Sequence, residues 1–212
     1  MDAPANEVGI AILAGGASSR MGQDKALLTW GGMALIDRAI RIAHAIIGPG
    51  ATMVVGDRPE YHGRGASVIP DRFPGTGPLG GIATALANWQ GDRLLVVAVD
   101  MPTLSLELLT AMAKKTFVGD ALVPRVTGGS KQGHGQARPE ALHAVYRVRS
   151  LAAIERNVLR GRLKVATVFD DLDVEYLDEA WLRRYDPELR SFENANTPEV
   201  FRRLKQTLED DR

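Results

Sequence analysis

Val8 to Leu13 is an unbroken apolar run, of the length and composition of a strand buried on both faces. It halts at Ala14-Gly15-Gly16, where a turn must follow. Leu27 to Trp30 and Met33 to Leu35, parted by Gly31-Gly32, predict a small hairpin. From Ile36 to Ile47 the apolar residues take helical spacing. Ile36, Ile40, Ala43 and Ile47 share one face, and Gly48-Pro49-Gly50 closes the helix. The alternation then repeats. Thr52 to Val55 and Ser67 to Ile69 predict strands, Gly81 to Gln90 a helix, and Leu94 to Val99 the most clearly buried strand. Ser105 is placed to cap a helix from Leu106 to Lys115, and Ala121 to Val123 predicts a further strand.

Beyond Pro124 the texture changes. Gly128 to Gly135 is a polar, glycine-rich loop without periodicity. Ala141 to Val148 returns to strand character, Leu151 to Leu159 is helical, and Val165 to Phe169 reads as extended. The acids from Asp170 to Glu175 read as a solvated turn. Thr197 and Pro198 open a last helix towards Leu208. Apolar strands alternating with amphipathic helices predict an α/β protein with an open, mainly parallel twisted sheet and helices on both faces. No internal repeat is present, so residues 1–212 are expected to form a single domain.

Composition narrows the function. The 26 basic and 26 acidic side chains leave a formal net charge of +0, without the basic excess that gripping nucleic acid requires. No apolar run approaches the roughly 20 residues of a membrane span, and the acidic Met1 to Glu7 stretch is unlike a secretory signal. No nucleic acid and no membrane partner are expected. The 0 cysteines exclude disulfides, thiolate metal sites and cysteine nucleophiles, and agree with a reducing, cytoplasmic setting.

The main chemical signal is Leu13-Ala-Gly-Gly-Ala-Ser-Ser-Arg-Met-Gly-Gln-Asp-Lys25, directly after the first buried strand. Gly15 and Gly16 let backbone N–H groups approach phosphate oxygens, and Arg20 and Lys25 add charge. The loop contains neither the G-x-x-x-x-G-K-[ST] P-loop nor the G-x-G-x-x-G dinucleotide fingerprint. Asp100 lies at the carboxyl end of Leu94 to Val99, where open α/β sheets bind ligands. It is placed either to hold a magnesium ion or simply to end the strand, and the residues alone leave both open. Asp71 to Gly81, rich in glycine and proline, predicts a pocket wall of exposed N–H groups leading into the helix near Gly81. His44 lies within an amphipathic helix and reads as a surface or boundary residue, and His62, His134 and His143 lack metal-ligand spacing.

Together these segments resemble the molybdenum cofactor guanylyltransferase (MobA) family. The family's L-A-G-G-x-S-x-R-M-G-x-D-K loop matches Leu13 to Lys25, and its P-G-x-G-P-L-G-G-I-x-T-A-L segment matches Pro74 to Leu86. Its V-D-x-P strand end matches Val99 to Pro102, and its N-x-N-T-P-E matches Asn194 to Glu199. The resemblance implies a Rossmann-like nucleotidyltransferase fold and transfer of GMP from GTP to molybdopterin-bound molybdenum, with pyrophosphate released. It further implies that Leu13, Ala14, Gly15, Gly16, Lys25 and Asp71 contact GTP, with Asp71 reading guanine or holding ribose. Arg20 and Lys25 would stabilise pyrophosphate, and Asp100 would bind both Mg2+ and GTP. Asn194 and Asn196 fall to the acceptor, so residues 8–124 would form the nucleotide part and 125–208 the acceptor part. Molybdoenzyme maturation proteins would be the partners downstream.

Two departures stand out. Gly56 occupies a position where relatives can carry asparagine, and Gly128 to Pro139 matches only loosely. The same motifs also serve transferases that use CTP or a sugar-phosphate acceptor. A binding protein without turnover is a further alternative, against which Lys25 and Asp100 together count.

Overall fold

The computed structural model describes residues 7–15, 24–127 and 137–193. Strand β1 (Val8–Leu13) is central, and its alternation explains why both faces are covered. Ile10 and Ile12 enter one hydrophobic layer, whereas Ala11 and Leu13 enter the other. β1 pairs in parallel with β4 (Thr52–Val55) on one side and with β6 (Arg93–Ala98) on the other. β5 (Ser67–Ile69) extends the sheet beyond β4. The chain thus leaves β1 in one direction for β4 and β5, then returns across it to β6. That reversal opens a crevice at the carboxyl end of β1, the usual ligand position of a doubly wound sheet.

Beyond β6 the sheet changes direction. β9 (His143–Arg147) runs antiparallel between β6 and β7 (Ala121–Val126). Residues 127–142 carry no helical periodicity, so the chain comes back on itself instead of crossing over in parallel. β8 (Arg138–Pro139) adds a short antiparallel pairing to β7, and β10 (Val174–Leu177) closes the edge in parallel with it. β2 (Thr29–Trp30) and β3 (Met33–Ala34) form the expected hairpin.

Helices cover both faces. α1 (Leu35–Ile47) and α3 (Leu106–Lys114) bury Ile36, Ile40, Leu108 and Met112 in one layer. α2 (Pro78–Ala87) and α4 (Leu151–Leu159) bury Leu79, Ile82, Ile154 and Val158 in the other. Gly48 ends α1 with φ 79°, and the Ser105 side chain caps α3 by accepting from the Leu108 N–H at 3.1 Å.

Three expectations are corrected. α2 begins at Pro78, not Gly81, because proline already carries the φ of a first helical residue. Gly80 and Gly81 are therefore packing positions within the helix. A Cβ at Gly80 would lie 2.0 Å from Thr76 Oγ1 and 2.9 Å from Phe73 Cβ. Residues Val165–Val168, read as extended, form the short helix α5 and run into a 3-10 turn at Phe169–Asp171. The β-branched content favoured a strand, but Val165, Val168 and Phe169 are spaced for one helical face and pack on the second core layer. Within the acidic stretch read as a solvated turn, Val174 and Glu175 start β10, which α6 (Glu179–Leu182) follows. Glu175 accepts the N–H groups of Val118 (2.5 Å) and Gly119 (3.0 Å), and these bonds hold its carboxyl below the usual range. The predicted loop at 128–135 and the last helix from Pro198 lie outside the described residues.

Candidate active site

Several sheet strands deliver chemistry to the crevice at the end of β1. There the chain turns because the amides of Ala14 and Gly15 both donate to the Val55 carbonyl, at 2.9 and 3.1 Å. Val99 N–H donates to the Leu13 carbonyl and Ala98 N–H to the Leu142 carbonyl, each at 3.1 Å. These bonds tie β1, β4, β6 and the lead into β9 together at one level. Lys25 begins a 3-10 turn, Lys25–Leu27, whose cap is Asp24 Oδ1 accepting the Ala26 N–H at 3.0 Å. The Lys25 ammonium reaches across to Asp100 Oδ2 at 3.3 Å, with both side chains about one-fifth exposed (22% and 21%).

Asp100 lies two residues beyond β6, at the head of a turn that is firmly held. Met101 and Pro102 are buried. The Pro102 carbonyl accepts from Arg38 Nε at 2.6 Å, and the Thr103 hydroxyl donates to the Arg190 carbonyl at 2.6 Å. The carboxylate is thus presented from an anchored turn.

Leu13, Ala14, Gly15, Lys25 and Asp100 line one cavity of about 170 Å³, together with Pro78 at the start of α2. The volume is well below that of a whole-ligand pocket. A larger, open groove of about 700 Å³ runs along α3 beside Trp181 and Tyr185. It is mostly apolar and holds none of the predicted site residues, so size alone does not locate the chemistry.

Asp71 does not line the cavity. Its Oδ1 accepts the Phe73 N–H at 2.9 Å and the hydroxyl of buried Thr84 at 3.0 Å, docking the β5–α2 connection onto the helix. Gly16, Arg20, Asn194 and Asn196 lie outside the described residues. Among the described residues no group of three or more His, Asp or Glu side chains could hold a metal ion. A metal at Asp100 would therefore rely on phosphate oxygens and water for its remaining ligands, which is how magnesium is commonly held on nucleotides.

Sequence reasoning missed Tyr61, Leu142 and the role of Asp24. Leu142 is a cavity residue with no local signature. Asp24 belongs to the loop motif, yet its side chain faces inward, only 5% exposed, where it pairs with Arg58 and accepts the Ala26 N–H and the Tyr61 hydroxyl.

Next to Leu142, His143 is fully buried, with its ring centroid 4.7 Å from that of Phe192. Among the described residues, neither ring nitrogen has a hydrogen-bond partner. Burial pulls its pKa down from 6.5 to about 4, against the opposing charge of Asp186. Between those values the unfolded chain binds more protons than the native protein, so stability falls as pH drops from 6.5 towards 4. The loss at pH 4 should reach roughly 3 kcal/mol. His143→Leu should remove this component, which urea denaturation across that range would measure. Parallel pH profiles for the two proteins would refute it.

Comparisons with known proteins bear on the family and the fold. The model of the MobA-like NTP transferase domain matches residues 10–177. A protein of Chloroflexus aggregans, named probable molybdenum cofactor guanylyltransferase, is 37% identical over 192 residues, covering 89% of this chain and 88% of that one. The molybdenum cofactor guanylyltransferase of Desulfosudis oleivorans is 32% identical over 205 residues, covering 93% and 94%. Among solved structures, the molybdopterin-guanine dinucleotide biosynthesis protein A of Archaeoglobus fulgidus superposes with a TM-score of 0.74 at 28% identity, covering 95% of this chain and 99% of that one. No helix among the described residues is long and apolar enough to cross a membrane. A nucleotidyltransferase sheet with a lysine and a carboxylate facing each other across its crevice, and relatives matched over most of their length, give one conclusion: the chain belongs to the MobA-like NTP transferase family.

Proposed function

We propose that this protein is a cytoplasmic, magnesium-dependent guanylyltransferase that moves GMP from GTP onto molybdopterin-bound molybdenum. The observation that carries the proposal is the Lys25–Asp100 pair at 3.3 Å, spanning the crevice between the ends of β1 and β6. A cation for phosphate and a carboxylate for a metal stand there side by side, in a cavity with the Ala14–Gly15 turn. Relatives matched over most of their length carry the guanylyltransferase name.

The acceptor's phosphate oxygen attacks the α-phosphorus of GTP, a new P–O bond forms, and the bond to the β-phosphate breaks. Pyrophosphate takes up the electron pair. The protein's task is in-line placement and neutralisation of charge. Lys25, with Arg20, neutralises the leaving pyrophosphate. Asp100 would hold the magnesium, which when bound screens the phosphate oxygens.

Of the two roles open to Asp71, we infer the ribose contact. Its Oδ1 already accepts two hydrogen bonds, so Oδ2 remains for the nucleotide. One oxygen suits a single ribose hydroxyl; the adjacent N–H donors of guanine call for two. Asp71 is accordingly assigned to ribose. Asn194 and Asn196 are assigned to the acceptor, and a maturation protein would collect the product.

Given GTP, magnesium and molybdopterin-bound molybdenum, the purified protein should release pyrophosphate and form the guanine dinucleotide. Equal turnover with CTP would overturn the guanine assignment. Triphosphate binding without pyrophosphate release would point instead to a nucleotide-binding protein.

A further inference from the structure

Tyr61 closes a 3-10 turn, Pro59–Tyr61, in the connection between β4 and β5, and is only 2% exposed. A phenol buried so deeply needs partners, and it finds them on both arms of the glycine loop. Its hydroxyl lies 2.7 Å from Asp24 Oδ2 and 3.1 Å from the Ala14 carbonyl, so one proton serves an acceptor on each side. Burial and the Asp24 carboxylate push the phenol's pKa above its ordinary value, which keeps it a donor. Asp24 is held from further directions as well. Arg58 Nε pairs with Oδ2 at 3.1 Å, and Oδ1 caps the turn that carries Lys25.

Gly56 gives the second, independent observation. It follows β4 directly, and a Cβ there would lie 2.6 Å from the Tyr61 ring and 3.6 Å from Ala14 Cβ. That first distance is shorter than real contacts allow, so any larger residue at 56 must displace the ring. The missing side chain at Gly56 and the buried ring of Tyr61 are two halves of one arrangement. The space at the end of β4 is filled from the loop five residues later, by a group that grips the glycine loop itself.

We propose that Tyr61 is the positioning residue of the nucleotide loop. Its hydroxyl joins the loop's first arm at Ala14 to its last at Asp24, and so fixes where Lys25 emerges opposite Asp100. Tyr61 touches no reacting atom in this scheme; it sets the ammonium in place before the phosphates arrive. The inference rests on the reading of this cavity as a triphosphate site, and the experiment separates the two.

Tyr61→Phe keeps the ring over Gly56 and removes only the hydroxyl. The variant should bind GTP about tenfold more weakly and show a matching rise in KM, the scale of one lost charge-assisted hydrogen bond. At saturating GTP the bound phosphates themselves hold the Lys25 ammonium in place, so kcat should stay within about threefold of wild type. Limited trypsin cleavage after Lys25 in the ligand-free protein should quicken by a similar factor, because local opening exposes the bond. Gly56→Ala, which retains the phenol but crowds its ring, should reproduce both effects. Unchanged cleavage together with GTP affinity within about twofold of wild type, for either variant, would overturn the clamp, being well below the tenfold expected. If wild-type protein bound no triphosphate, the site reading would fall, while the cleavage rates would still decide whether Tyr61 holds the loop.

Discussion

Lys25→Ala is expected to lower kcat/KM by roughly 10²-fold or more, the scale of one preorganised electrostatic contact to a developing charge. The variant should fold normally. Lys25 is about one-fifth exposed and begins a single 3-10 turn, and ion pairs at such positions add little to stability. The cap that shapes this turn is Asp24, which the substitution leaves intact. The geometry adds a prediction of opposite sign. Removing the ammonium 3.3 Å from Asp100 takes a competing cation away from the proposed metal ligand. Magnesium should therefore bind the nucleotide-free variant more tightly than wild type, while GTP binds more weakly. Calorimetric titration of each ligand, alongside steady-state kinetics, checks both signs. Activity within about twofold of wild type, far below the scale of such a contact, would remove Lys25 from the mechanism.

How much of this was legible in the chain depends on how local the cause is. β1 and β6 could be read directly, because strands buried on both faces are written as unbroken apolar runs. Lys25 and Asp100 were legible as members of motifs at strand ends. That they face one another was not legible, because Lys25 stands well past the end of β1, in a turn capped by Asp24, and only the folded chain brings it to Asp100. The direction of β9 was not legible, since an apolar strand reads the same in either direction and only the missing crossover helix hinted at it. α5 was not legible because a four-residue element rich in β-branched residues carries too little spacing to distinguish a helix from a strand. The outer strand β10 was lost because an edge strand with one acidic residue looks like a surface turn.

The clamp around Asp24 shows a different limit. In the sequence Gly56 is only a departure from the family pattern, where relatives can carry asparagine. Its cause, a ring belonging to a residue five positions later, exists only once β4 and β5 are paired and the chain between them has folded back. Asp71 teaches the converse. The motif placed it near the nucleotide, but two hydrogen bonds to its own loop and to Thr84 restrict what its carboxylate can do.

Asp100→Asn should cause the deepest loss, because it removes the one charge proposed to draw magnesium to the triphosphate. The substitution keeps the side chain's size and one carbonyl oxygen, so packing is preserved. The turn behind it is secured independently by buried Met101 and Pro102, the Arg38 bond to the Pro102 carbonyl, and the Thr103 bond to Arg190. The ligand-free melting temperature should accordingly change little. Activity should fall by roughly 10³-fold or more, since a metal at a phosphoryl centre contributes several kcal/mol of charge stabilisation. A neutral amide oxygen is a weaker ligand for a hard cation than a carboxylate, so any residual activity should demand far more magnesium. If Asp100 served only to end β6 and pair with Lys25, the pattern would invert: the melting temperature would drop and the folded fraction would turn over normally. Thermal melts and a magnesium titration of the same preparation distinguish the two. A half-saturating magnesium concentration equal to that of wild type would mean that the metal is held elsewhere.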